Sequence, residues 1–210
     1  MIKMNKREDF KKSYYDGFKK LTDVSLEDFM TYYDEAKYGG YPEEPSGSVW
    51  ESEGKSIYVL IRILKPKKIL EIGNFLGVSS NHILQAVDKN GIGEVTLLDI
   101  AESLQYDKLY SRNFTRILDN SLNHLLQFFQ YDLIVQDGNH TYEHVKREIQ
   151  LILSNNLLNN YYIWGHDYYV QHKLDIGIWK AWDEMKYNFN EFQAFIDSIS
   201  DCGCSIAKKT

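Results

Sequence analysis

Residues 68–77 read K-I-L-E-I-G-N-F-L-G. Ile69–Ile72 is a short apolar run carrying one acid, Glu71, and it leads straight into a glycine turn. A second apolar run, Glu94–Ile100, brings another acid, Asp99, to its tip. Strand, glycine turn, helix, strand and terminal acid is how an α/β sheet grips a cofactor that carries a nucleoside. Gly73 lets the chain turn sharply, Gly77 allows close approach of helix to sheet, and the helix start offers free N–H groups. A dinucleotide site wants G-x-G-x-x-G, so that backbone can approach a pyrophosphate. Here Phe75 stands where the middle glycine would be, and Glu71 would repel phosphate but welcome an ammonium group.

Outward from this stretch, apolar runs alternate with helical patterns. Strands are expected at Ile69–Ile72, Val95–Leu98, Thr115–Ile117, Leu133–Gln136 and Tyr161–Trp164. Helices are expected at Val49–Leu64, Gly77–Val87, Leu104–Arg112, Leu122–Phe128, His144–Leu153 and Ile176–Tyr187. Such alternation signals βαβ crossovers and a mainly parallel sheet covered on both faces. Phe192–Ser198 and Cys204–Lys208 are strand-like runs joined by a connection too short for a parallel crossover, so they form an antiparallel hairpin. The expected fold is α/β: Rossmann-like, a seven-stranded, mainly parallel sheet with an antiparallel C-terminal hairpin. Residues 1–45 read as an N-terminal helical cap, with a helix starting at Ser25, and 46–210 as the cofactor-binding domain.

Composition narrows the function classes. Apolar residues make up 43% and charged residues 26% of 210 residues, an ordinary globular profile. A net charge of -6 argues against nucleic acid as a partner. The early basic cluster (Lys3, Lys6, Arg7, Lys11, Lys12, Lys19, Lys20) is interrupted by Glu8, Asp9 and Asp16, as on a solvated helix face. No apolar run approaches the ~20 residues that span a bilayer, and the N-terminus lacks a signal-peptide core, so the expected location is cytoplasmic. Cys202 and Cys204 sit one residue apart and read as two thiols of a strand.

Two further strand ends carry chemistry. Tyr131–Tyr142 reads Y-D-L-I-V-Q-D-G-N-H-T-Y, which delivers Asp137 and His140 to the carboxyl end of the sheet. The fifth strand does the same with His166 and Asp167.

E-I-G-N-F-L-G-V-S resembles motif I of S-adenosylmethionine (SAM) methyltransferases, in the variant of the catechol-type and macrolide-sugar O-methyltransferases. D-G-x-H-x-Y followed by an H-D pair resembles the macrocin-like small-molecule O-methyltransferases. The resemblance covers about residues 48–208 and implies SAM as cofactor. It places the methionine part on Glu71 and the Gly73–Gly77 turn, Asn74 and Phe75 included, with Ser79 on its carboxylate. Asp99 is implied to hold both ribose hydroxyls, and Asn120 and Ser121 to flank the adenine, with Asp137 at the far edge. It makes His140 the general base beside Asp137, and Asp137, His166 and Asp167 candidate ligands of a divalent metal, Mg²⁺ or a transition metal, the alternatives being Asp137 and Asp167 alone or no metal. His166 departs from the pattern, since metal-dependent relatives place Glu or Asp there, and an imidazole suits a transition metal better than Mg²⁺.

The expected activity is methyl transfer to a hydroxyl of a small molecule such as a sugar or glycosylated metabolite. A cation lowers the hydroxyl pKa while an imidazole takes the proton. A nicotinamide-dependent oxidoreductase and a non-catalytic SAM-fold binding subunit are the alternatives. Among the other histidines (His82, His124, His144, His172) only His172 is placed on the active-site face, near Tyr168 and Tyr169. The tyrosines Tyr14, Tyr15, Tyr32, Tyr33, Tyr38 and Tyr41 are read as packing a lid or stacking on an acceptor. Trp50 is placed near the cofactor. Neither the acceptor nor homo-oligomerisation is fixed by the sequence.

Overall fold

The computed structural model describes residues 6–37, 48–111, 113–168, 177–196 and 203–210. The strands are β1 (Lys68–Ile72), β2 (Glu94–Asp99), β3 (Thr115–Leu118), β4 (Leu133–Gln136), β5 (Tyr161–Gly165), β6 (Glu191–Ile196) and β7 (Gly203–Lys209). They form one sheet in the order β3-β2-β1-β4-β5-β7-β6. Pairing is parallel from β3 to β5, and β7 runs antiparallel to both β5 and β6. The expected seven-stranded sheet with a terminal hairpin is therefore what the chain forms. Its order reverses between β1 and β4, the crevice where open α/β sheets bind ligands.

The helices are α1 (Lys6–Thr22), α2 (Leu26–Glu35), α3 (Glu51–Leu64), α4 (Val78–Asn90), α5 (Ser121–Leu125), α6 (Tyr142–Asn155) and α7 (Ile178–Met185). Alternation along each strand splits the core in two. Ile69, Leu133 and Ile206 face the layer of α1–α4, whereas Leu70, Ile134 and Ala207 face α6 and α7. Ser25 caps α2 by accepting the Asp28 N–H at 3.0 Å.

The expected helix over Leu104–Arg112 does not form; only a single 3₁₀ turn, Tyr106–Lys108, is present there. Asn81 of α4 explains why. Its Oδ1 accepts the Tyr110 N–H at 2.7 Å and its Nδ2 donates to the Lys108 carbonyl at 3.3 Å, capturing backbone groups that a helix would need. Helix α5 also stops short of the expected Phe128, leaving Leu126 and Phe128 exposed. The expectations for His172, Tyr169, Tyr38, Tyr41 and Cys202 lie outside the described residues. No helix among the described residues is long and apolar enough to cross a membrane.

The N-terminal helices share the core of the sheet. Phe18 is fully buried against Phe29 of α2 (ring centroids 5.5 Å apart) and Phe195 of β6 (5.7 Å). Tyr14 stacks on Phe195 at 4.7 Å and shares a hydrogen bond with the buried Cys204 thiol. Tyr14 and Tyr33 are thus core residues rather than acceptor contacts. Phe18→Ala should lower unfolding free energy by about 3–5 kcal/mol in denaturant titrations, the usual cost of emptying a buried aromatic site. Unchanged stability would mean that α1 contributes nothing to the core.

Candidate active site

The glycine turn is shaped by steric exclusion. Gly73 has φ +80, and a Cβ there would collide with the backbone carbonyl of Asp137. Gly77 (φ +98) starts α4, and a side chain there would strike Leu104 and Leu109. The exits of β1 and β4 therefore pass in contact, and Asp137 N–H donates to the Ile72 carbonyl at 2.9 Å. Phe75, between the two glycines, takes φ +40 and stays 44% exposed at the rim.

A cleft of about 520 Å³ opens along this edge, within the roughly 300–1,000 Å³ of small-molecule sites. Asn74, Phe75, Ser79, Asp99, Asn120, Ser121, Asp137 and His140 all line it, so most of the residues named from sequence come together. Ser48 and Val49 form part of the wall, while Trp50, just beyond them, precedes the first turn of α3 and is not part of the lining.

Asp99 sits at the centre. One carboxylate oxygen accepts the N–H groups of Asn74 and Phe75, both at 2.9 Å, and the other accepts that of Ala101 at 3.1 Å. A carboxylate offers about four lone-pair sites, so three are already filled by the turns that shape the cleft. Arg116 of β3 braces the same turns through the Asn74 side chain and the Ala101 carbonyl (2.9 Å).

Glu71 is not in the cleft. It is fully buried behind the turn, where Ser79 and Ser80 hydroxyls support it. Burial pushes its pKa up to about 7, and the nearby Asp137 and Asp99 charges add to the rise. Its sequence-derived role as a direct partner of an ammonium group is not matched by this position.

At the base of the cleft, His140 stands between two carboxylates. Its Nε2 lies 3.3 Å from Asp137 Oδ1 and its Nδ1 lies 3.3 Å from Asp167 Oδ2. The Asp137 hydrogen bond raises the His140 pKa above 6.5, against the opposing effect of burial. His166 packs beside them, with Nδ1 at 3.0 Å from Asp137 Oδ1 and Nε2 at 2.9 Å from Glu53 Oε2. Burial works to lower the His166 pKa, but Asp137, Glu53 and Asp167 together raise it well above 6.5. Burial likewise works to raise the Asp137 pKa, and the two histidines outweigh it and hold the carboxyl low.

These contacts do not suit a metal. A ligating imidazole needs a free lone pair, and both His166 nitrogens face carboxylates that stabilise its protonated form. Among the described residues no group of three or more His, Cys, Asp or Glu side chains is arranged to hold a metal ion. The expected set of Asp137, His166 and Asp167 is brought together as hydrogen-bonding partners and gains no support as a ligand set.

Two participants were missed from sequence. Glu53, in the first turn of α3, was not singled out. His144 lines the cleft, its Nε2 2.9 Å from the Ser121 hydroxyl and 3.2 Å from the buried Glu148. The i,i+4 spacing of His144 and Glu148 beside D-N-S was the available signal. Of the remaining candidates, His82 is buried in the α3–α4 layer, where burial lowers its pKa to about 3. His124 pairs with Tyr131, and Tyr168 donates to Asp183 at 2.6 Å.

The cleft fits a nucleoside-bearing cofactor: an acid at the β2 tip, a turn with no room for side chains, and a polar β3 loop converge on one space. Residues 70–168 match the family model described as a methyltransferase domain. The match spans a little under half of the chain, and the strand order is that of the class I SAM-dependent methyltransferase fold.

Solved structures carry the same fold over nearly the whole chain. The chain is similar to the O-methyltransferase TomG of Streptomyces achromogenes, involved in tomaymycin synthesis and solved with SAM. Identity is 16%, coverage 99% of both chains and TM-score 0.63. It is similar to an O-methyltransferase of Bacillus cereus in complex with SAH, at 16% identity, 98% and 100% coverage and TM-score 0.62. The SAH-bound methyltransferase PaMTH1 of Podospora anserina gives 18% identity, 100% and 99% coverage and TM-score 0.60. A search of curated proteins finds no match. Asp99→Ala should weaken SAM binding tenfold or more by calorimetry, about 1.4 kcal/mol per decade; unchanged affinity would remove Asp99 from the cofactor site.

Proposed function

We propose that this chain transfers a methyl group to a hydroxyl oxygen of a small molecule, with sugars and glycosylated metabolites as the acceptor class, and that His140 is the general base. The observation that carries the reading is the place of His140. It lies in the cleft wall, partly exposed, and is oriented by carboxylates on both ring nitrogens. The solved neighbours described as O-methyltransferases support oxygen as the acceptor atom.

When bound, SAM supplies an electrophilic methyl group on a sulfonium sulfur. The glycine turn, Asp99 and the Asn120–Ser121 loop would hold it, with the methyl directed toward the Asp137–His140 end of the cleft. Neutral His140 takes the proton from the acceptor hydroxyl on Nδ1, which exchanges its Asp167 contact for that hydroxyl, as the new O–CH₃ bond forms and the S–CH₃ bond breaks. Asp137, accepting from Nε2–H, keeps the ring aligned, and the two carboxylates stabilise the imidazolium that results. Alignment of one hydroxyl with one methyl is the main demand on the protein. No step of this transfer is routed through a metal ion.

Incubation with SAM and a panel of hydroxylated small molecules, read by SAH release, tests the activity. His140→Ala should abolish turnover while leaving SAM affinity nearly intact; wild-type rates in that variant would exclude His140 as the base. SAM binding without turnover on any acceptor would favour a non-catalytic SAM-fold subunit.

The pH profile gives a second check. His140 works unprotonated, and its pKa is raised above 6.5. Activity is therefore lost as pH falls through that raised value, so the acid limb should lie above pH 6.5. An acid limb centred below 6.5 would argue that another group accepts the proton.

A further inference from the structure

Glu53 is fully buried at the start of α3. Its Oε2 accepts the Trp50 N–H at 3.0 Å, which caps the helix. Capping alone needs no burial: a glutamate at a helix start does the same while facing water, and removing a carboxylate from water is costly unless it is paired. The second partner of Glu53 Oε2 is the His166 ring, through Nε2 at 2.9 Å.

The opposite nitrogen, Nδ1, then faces Asp137 Oδ1 at 3.0 Å, the same oxygen that lies 3.3 Å from His140 Nε2. Trp164 closes one face of the His166 ring, stacked at 5.7 Å and 13°, and its own N–H is fixed by Ser56 at 3.0 Å. An imidazole held at both nitrogens and along one face keeps one orientation and one pattern of N–H donors.

We infer that Glu53 is a positioning residue for methyl transfer: it fixes the His166 ring so that Nδ1 holds Asp137, and through Asp137 it sets His140. This rests on the proposed function. The same carboxylate seats the first turn of α3, directly after the cleft-wall residues Ser48 and Val49. Glu53 thus ties the wall of the cofactor cleft to the alignment of the base, although it touches neither cofactor nor acceptor. A group acting through others in this way is expected to affect kcat more than binding.

Glu53→Gln and Glu53→Asp are the test variants, the second retaining a capping carboxylate but shortening its reach toward His166. Each should lower kcat by roughly 10- to 100-fold, the scale of a misaligned reacting group, with SAM affinity by calorimetry and acceptor KM little changed. Combining Glu53→Gln with His166→Asn should cost no more than His166→Asn alone, because both break one chain of contacts. Independent additive losses, or a drop in melting temperature with kcat intact, would overturn the assignment and leave Glu53 as a helix cap only.

Histidine-selective ¹H–¹⁵N spectra of the full chain provide a readout that needs no acceptor, with His166→Asn identifying the signals. The His166 Nε2–H resonance should be protected from exchange in the wild type and lose that protection in both Glu53 variants. Unchanged protection would overturn the positioning role even if turnover fell. If the wild type bound no SAM, the proposed function would fail while these spectra still decided the Glu53–His166 contact.

Discussion

The contact between the exits of β1 and β4 organises the rest of the molecule. Gly73 turns with its α-carbon pressed on the Asp137 carbonyl, leaving no volume for a side chain. Because the two strands are neighbours at the reversal of sheet order, this crossing puts the cofactor turn on one side and the Asp137–His140 segment on the other. Under the proposed function, backbone packing places cofactor binding and proton transfer in adjacent halves of one cleft. The nearby Gly77 extends the same logic, since Leu104 and Leu109 close over it. A methyl group at Gly73 would push these halves apart.

Three buried carboxylates near the cleft are held by different partners. Glu53 meets an imidazole held well above its ordinary pKa. Glu148 is held by the Ser121 hydroxyl, the Gln136 amide and the His144 ring. Glu71 has hydroxyls and like-charged neighbours, and burial takes its pKa to about 7. For Glu71, supported by hydroxyls beside like charges, burial makes the proton a favourable partner near neutral pH.

The strands were legible in the sequence because each is a short apolar run bounded by turn residues, and the hairpin because its connection is too short for a crossover. The acids and histidines at strand tips were legible because a strand end fixes where its last side chains lie. The helix expected over Leu104–Arg112 failed for a reason no local pattern holds: a side chain from α4 takes its backbone bonds. Glu53, His144 and Glu148 were missed because periodicity reports apolar faces and is silent on a buried polar group. The metal expectation came from the order of residues along the chain and gains no support here, and the contact of His166 with Glu53, far from it in sequence, was not foreseen.

Asp99 has a consequence for how the cleft behaves when nothing fills it. Its carboxylate draws in the N–H groups of Asn74, Phe75 and Ala101, so the turn is braced by an internal anion. Under the proposed function, a ribose arriving there exchanges hydrogen bonds with the backbone more than it adds them. The net gain per contact is small, but little ordering of the loop remains to be done on binding. For an enzyme that must release a spent cofactor differing from the fresh one by a methyl group, such a preformed, exchangeable grip favours turnover over tenacity.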